Sequence, residues 1–180
     1  MTEATTVSEK IYSIEINAPI HKVWAEITKV NAVSRPMFDC VMKSDLKPGS
    51  AYRHFTQDNK RVMVHGRVQQ IEPPVPGGAS ARLVQTFRFT TIPDEPYSLV
   101  TWELNETRPG VTKVTVVHAN LSDKPKTTKQ IDGGWPTILA NYKSILETGT
   151  IPFKFKLMYA MFGVMGFMLP KSTLAHNVKD

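Results

Sequence analysis

The 180-residue sequence has little cysteine. Cys40 is the single one, which excludes an internal disulfide framework and a cysteine-rich zinc site. Its placement between Phe38 and Met42 at strand spacing predicts a buried, inert thiol. No histidine pair has His-x-x-x-His spacing, and His54 and His65 fall on different predicted strands without a carboxylate cluster, so no metal site is expected. There is no Gly-x-Ser-x-Gly elbow, no glycine-rich phosphate loop and no Cys–His signature, so no catalytic residue and no cofactor is assigned. The first twenty residues hold no apolar run of the secretory type, which predicts a cytoplasmic protein. No apolar run reaches the roughly 20 residues that span a bilayer. Nor is the charge of one sign: 22 basic residues face 16 acidic ones, for a net +6. Arg53, Arg67, Arg82 and Arg88 are interspersed with acidic residues and carry no interleaved aromatic pattern, so they read as a solvated face and not as a nucleic-acid site.

What is present is an ordinary apolar content of 41%, enough for one core. Lys10–Asn17 alternates, with Tyr12, Ile14 and Ile16 on one side, and predicts a half-buried strand. Ile20, Val23, Trp24 and Ile27 recur at helical spacing, and a second short helical piece is expected over Asn31–Met37. From Phe38 the period becomes two, giving strands over 39–45, 51–57, 61–71, 81–90, 98–107 and 112–120, separated by turn residues. Short connections demand antiparallel pairing. Val62, Val64, Gly66 and Val68 share one face with Leu83, Gln85, Phe87, Phe89, Val100, Trp102, Leu104, Val114, Val116 and His118. Ile131, Trp135, Ile138, Leu139, Tyr142, Ile145 and Leu146 then form one helical stripe. Pro136 suits only a first turn, so this helix is expected to begin near Gly133, with Gly149 as its cap. The pattern predicts an α+β fold in which a curved antiparallel sheet of about seven strands wraps a long C-terminal helix, with two short helices after the first strand.

Four segments in this order resemble a known family. Ile16-Asn-Ala-Pro-Ile-His-Lys-Val-Trp24, Val64-His-Gly66 leading to Ile71-Glu-Pro-Pro74, Thr101-Trp-Glu-Leu104 with Thr115-Val-Val-His118, and Gly134 to Gly149 are similar to the START and birch-pollen-allergen superfamily of helix-grip folds. The subgroup they resemble is named after the C-terminal domain of the heat-shock-protein ATPase activator. The resemblance covers 10–149 and leaves 150–180 as an extension. It implies a cavity between sheet and helix that takes an apolar small molecule or lipid. The protein would then act as a carrier or sensor without covalent chemistry. Alternatives are a polyketide cyclase or aromatase using the same cavity, and a regulator of a chaperone ATPase.

The candidate ligand-binding residues are Gln85, Phe87, Phe89, Trp102, His118, Trp135 and Tyr142. Gln85 is an amide on an apolar face and needs a partner. His118 could orient or protonate a ligand, or be a satisfied structural histidine. The aromatics could sandwich a planar molecule or simply fill the core. The readable inward faces hold no Asp, Glu or Lys, which argues against hydrolysis.

The extension is the unusual part. Leu157 to Leu169 carries no charge, and Met158, Met161, Met165 and Met168 fall on one helical face. Lys154, Lys156, Lys171 and Lys179 stand against Asp180, which is half the net charge of +6. The segment reads as a helix that packs on its own domain or makes a homodimer contact through 151–170. Its further readings, in descending order, are a peripheral membrane anchor and a lid over the cavity.

Overall fold

The computed structural model describes residues 8–164 and 168–179. Strand β1 (Lys10–Ile16) leads into helix α1 (Ile20–Ile27), then into β2 (Val33–Ser34), β3 (Cys40–Ser44), β4 (Ala51–Phe55), β5 (Val62–Glu72), β6 (Ser80–Phe89), β7 (Ser98–Arg108) and β8 (Val111–Ala119). Helices α2 (Pro125–Thr148) and α3 (Phe153–Val164) follow, and two 3-10 turns close the chain, at Lys171–Thr173 and Ala175–Asn177. The eight strands form one antiparallel sheet in the order β1-β8-β7-β6-β5-β4-β3-β2. This is the expected α+β helix-grip architecture, with one more strand than anticipated.

Two local expectations are corrected. Residues 31–37 hold no helix. Asn31, Phe38 and Asp39 all have left-handed backbone angles, which a right-handed helix cannot absorb. Val33 and Ser34 instead pair with Val41 and Cys40. One short helix therefore follows the first strand, not two. The long helix starts at Pro125 and carries Pro136 in its middle. Lacking an N–H, Pro136 leaves the Asp132 carbonyl without its helical donor. Both residues lie on the exposed side, where solvent can satisfy that carbonyl.

The helix starts early because the sheet caps it from outside. Glu95, on the β6–β7 connection, accepts from the Lys126 and Thr127 amides through its two oxygens, each at 2.9 Å. Burial pushes the Glu95 carboxyl up, but these bonds outweigh it and hold it below the usual carboxylate range. Glu106 does the same for α1, accepting from the Ile20 amide at 3.1 Å. Gly149 ends α2 in the left-handed conformation, its amide bonded to the Ile145 carbonyl.

The core lies between the sheet's concave face and α2. Ile131, Trp135, Ile138, Leu139 and Tyr142 are buried against Leu83, Val100, Trp102, Leu104, Val114 and Val116, while Ile145 and Leu146 are half-buried. Gly66 marks a tight point in the wall. A Cβ there would stand 1.9 Å from the Thr86 carbonyl oxygen, the same oxygen that accepts from the Tyr52 hydroxyl at 2.8 Å. Beside it, Arg67 N–H bonds to the Thr86 hydroxyl.

Candidate functional site

Strand register brings polar side chains to the concave face in rows. Gln85 pairs with Val68 on β5 and Val100 on β7, and Val100 pairs in turn with His118 on β8. His54 pairs with Met42 and with Val64, which faces Phe89. Under these rows lies a small chamber. Its floor is Leu83, Gln85, Phe87, Val100 and Trp102; Tyr52 and His54 form one wall, Trp135 and Tyr142 the helix side, and Ile27, Met37 and Met42 the end toward α1. The room left for the centre of a water molecule is ≈ 20 Å³, space for about one water.

Aromatic rings make most of the lining. Trp102 meets Trp135 edge to face at 5.3 Å and Tyr142 at 5.9 Å. No acidic or lysine side chain lines the chamber among the described residues. Two polar atoms do border it without a protein partner: His54 Nδ1 and Gln85 Nε2 are both buried and unbonded. Burial alone pushes the His54 imidazole down to about 4, so it is neutral near pH 7, with one nitrogen to donate and one to accept.

Of the seven residues expected to bind a ligand, Gln85, Phe87, Trp102, Trp135 and Tyr142 line this chamber. Phe89 and His118 stand behind Phe87, with ring centroids 4.8 and 5.0 Å away. His118 is fully buried, and both of its nitrogens are occupied. Trp135 Nε1–H donates to Nδ1 at 3.0 Å, and Nε2 lies 2.7 Å from Ser98 Oγ. Trp135 can only donate, so Nδ1 accepts and the proton of the neutral ring sits on Nε2. Nε2–H then donates to Ser98, whose hydroxyl donates to the Phe87 carbonyl at 3.1 Å. The Ser98–His118 pair therefore cannot work as nucleophile and base, because the histidine has no lone pair toward the serine. Burial, then the Lys124 charge, pushes His118 down to about 3.

Sequence reasoning did not place His54 in the chamber. Its alternation with Tyr52 on a short strand is the signal that places it there. Among the described residues, no three His, Cys, Asp or Glu side chains converge on a metal site. His65 lies on the convex face and is buried there under Tyr97, with Arg88 Nε donating to its Nε2 at 3.2 Å. Cys40 is buried as expected, its thiol pushed up to about 12 by burial and then by Asp39.

The extension lies beside the chamber. Tyr159 of α3 is buried and accepts from Asn141 Nδ2 on α2 at 2.7 Å. Its ring meets Phe38 edge-on at 5.5 Å, and Phe38 adjoins the chamber residue Met37. Further on, Arg61 donates to the Thr173 hydroxyl at 2.6 Å and to the Leu169 and Pro170 carbonyls at 3.3 Å. Arg61 also bridges Leu174 in strand fashion. The expected methionine face is only partly open to description, since Met165 lies outside the described residues.

The family model for activator of Hsp90 ATPase homolog 1-like protein matches residues 17–147. The chain belongs to that family. CalU16 from Micromonospora echinospora is a structural relative of 20% identity and TM-score 0.59, with 91% of this chain and 88% of that one covered. An HSP90 activator from Plasmodium falciparum, PFC0360w, matches at 16% identity and TM-score 0.54, over 88% and 96%. The Aha1 dimer from Colwellia psychrerythraea matches at 16% and 0.58, over 79% and 98%. At such identities the likeness establishes the fold. No curated protein sequence matches the chain significantly.

Proposed function

We propose that the chamber binds an apolar small molecule bearing one polar group, without covalent chemistry. One observation carries this reading: His54 Nδ1 and Gln85 Nε2 end unpartnered on the same aromatic-walled chamber. A buried polar atom without a partner costs about 1–3 kcal/mol, and a ligand's hydroxyl or carbonyl would satisfy it. Ligand pockets combine an apolar lining with a few orienting polar groups in this way. The ≈ 20 Å³ of free room means the ligand must displace side chains, and Met37 and Met42 are the unbranched, adaptable ones at the end of the chamber. Phe87, Trp102, Trp135 and Tyr142 would then contact its apolar body, and Gln85 and His54 its polar group.

The test is displacement of a fluorescent fatty acid, with native mass spectrometry of the same samples. Displacement by lipids or by polycyclic polyketides, weakened in Gln85→Met, is the expected result. No bound mass and no displacement by either class would refute the reading. A cyclase in the same chamber would need a proton donor or acceptor, and His54 is the candidate; unchanged turnover in His54→Phe would remove it. The family description and the Plasmodium falciparum relative support a second reading, stimulation of an Hsp90 ATPase. An unchanged Hsp90 ATPase rate with saturating protein would count it out.

A further inference from the structure

We propose that the outer face of α3 docks on an anionic membrane surface. A helix that is apolar all round is ordinarily buried all round, and α3 is not. Its inner side is covered, with Tyr159 buried and Phe155 and Met158 half-buried. On the other side Phe153 is 77% exposed and Leu157 55% exposed. These two are four apart and so are neighbours on one face. At 3.6 residues per turn, Lys154 and Lys156 fall on either side of that pair, and both are exposed. This exposed apolar pair can enter the acyl boundary of a lipid surface while the two flanking lysines meet its headgroups.

Charge selects the occupant. Residues 150–179 contain no Asp or Glu, while Lys154, Lys156, Lys171 and Lys179 are all exposed. A second copy of this chain seated on the same stripe would bring lysines against lysines, which opposes association. A surface of anionic headgroups is complementary. The depth is interfacial, because no described helix is long and apolar enough to cross a membrane. Met168 is a further exposed apolar side chain, at 65%. The docking is independent of what the chamber holds.

The experiment is co-sedimentation of the full chain with vesicles of phosphatidylcholine, alone or mixed with phosphatidylserine. Binding to the mixed vesicles that weakens with added salt is expected. Each lysine near such a surface is worth about fivefold in affinity, so Lys154→Gln with Lys156→Gln should weaken binding about 25-fold. Lys154→Arg with Lys156→Arg should retain it. Phe153→Ser with Leu157→Ser should also lose binding. All four side chains are exposed, and an unchanged thermal midpoint checks that the variants fold. Absent binding, or equal binding to both vesicle types, overturns the proposal. So does a wild-type dimer in analytical ultracentrifugation that Leu157→Ser converts to monomer, since a second copy would then occupy the face.

Discussion

Replacing Gln85 by methionine tests the chamber without emptying it. The two side chains have similar length and volume, so no cavity term arises. What changes is the amide. Gln85 Nε2 is buried and bonds to no protein group, and such a group costs about 1–3 kcal/mol in the folded state. The thioether carries no such cost. Gln85→Met should therefore raise the unfolding free energy by about 1 kcal/mol, or the thermal midpoint by about 2–4 °C for a chain of this size. Ligand affinity should move oppositely, falling by about 3- to 10-fold as one hydrogen bond is lost. Urea titration followed by tryptophan fluorescence reads the first quantity, since Trp102 and Trp135 line the same chamber. Displacement of the fluorescent fatty acid reads the second. Destabilisation by 1 kcal/mol or more would refute the reasoning, because the amide would then have a stabilising partner in the unliganded fold. So would an affinity that stays the same while stability rises.

Other consequences follow from the polar groups of the core. His54 and His118 are pushed down to about 4 and about 3, whereas unfolded histidines titrate near 6.5. Between pH 6.5 and 4 the unfolded chain binds protons that the fold refuses. Stability should thus fall as the pH drops through that window, by up to about 3 kcal/mol per histidine, and His54→Phe should flatten the curve measured by urea titration at successive pH values. Ser98→Ala leaves His118 Nε2–H without its acceptor and should cost about 1–3 kcal/mol; thermal denaturation checks this, and ligand affinity should not change. Gly66→Ala drives a methyl into the Thr86 carbonyl 1.9 Å away and should lower the melting temperature by an amount equivalent to at least the upper end of the roughly 1–3 kcal/mol typical of overpacking.

Most of the sheet was legible because Val62, Val64, Gly66 and Val68, and likewise Val100, Trp102 and Leu104, recur at every second position and are buried on one face. The last four turns of α2 were legible for the same kind of reason, a continuous apolar stripe. The first turns were not. Residues 125–130 contain no large apolar side chain, and what holds them is Glu95, thirty residues upstream, bonded to two amides. Tertiary capping leaves no local signature. The strand at Val33–Ser34 was hidden for a related reason: two residues cannot display a period, and Asn31, Phe38 and Asp39 take left-handed angles without being glycine. In the chamber, the aromatic walls were readable from face alternation. The partners of His118 were not, because Ser98 and Trp135 reach it from β7 and α2, 20 and 17 residues away.

The two inward histidines separate a structural role from a binding one. Both lie on the concave face, both are buried, and both are held neutral by burial. His118 is saturated: one nitrogen accepts from Trp135, the other meets Ser98, and the chain of donors ends on a backbone carbonyl. Nothing is left with which to recognise a ligand. His54 keeps Nδ1 unpaired, and so does the Gln85 amide across the same chamber. Buried atoms without a hydrogen-bond partner also occur at Asp39, Arg82 and Asn141, but none of these lines the chamber. A domain of ordinary stability, about 5–15 kcal/mol, gives up a sizeable fraction of it by leaving two such groups unpaired in one apolar chamber. Filling the chamber with methionine and phenylalanine would recover that energy, and a core selected for stability alone would have done so. Unpaired groups that converge on one space are better explained by a molecule that completes them than by packing.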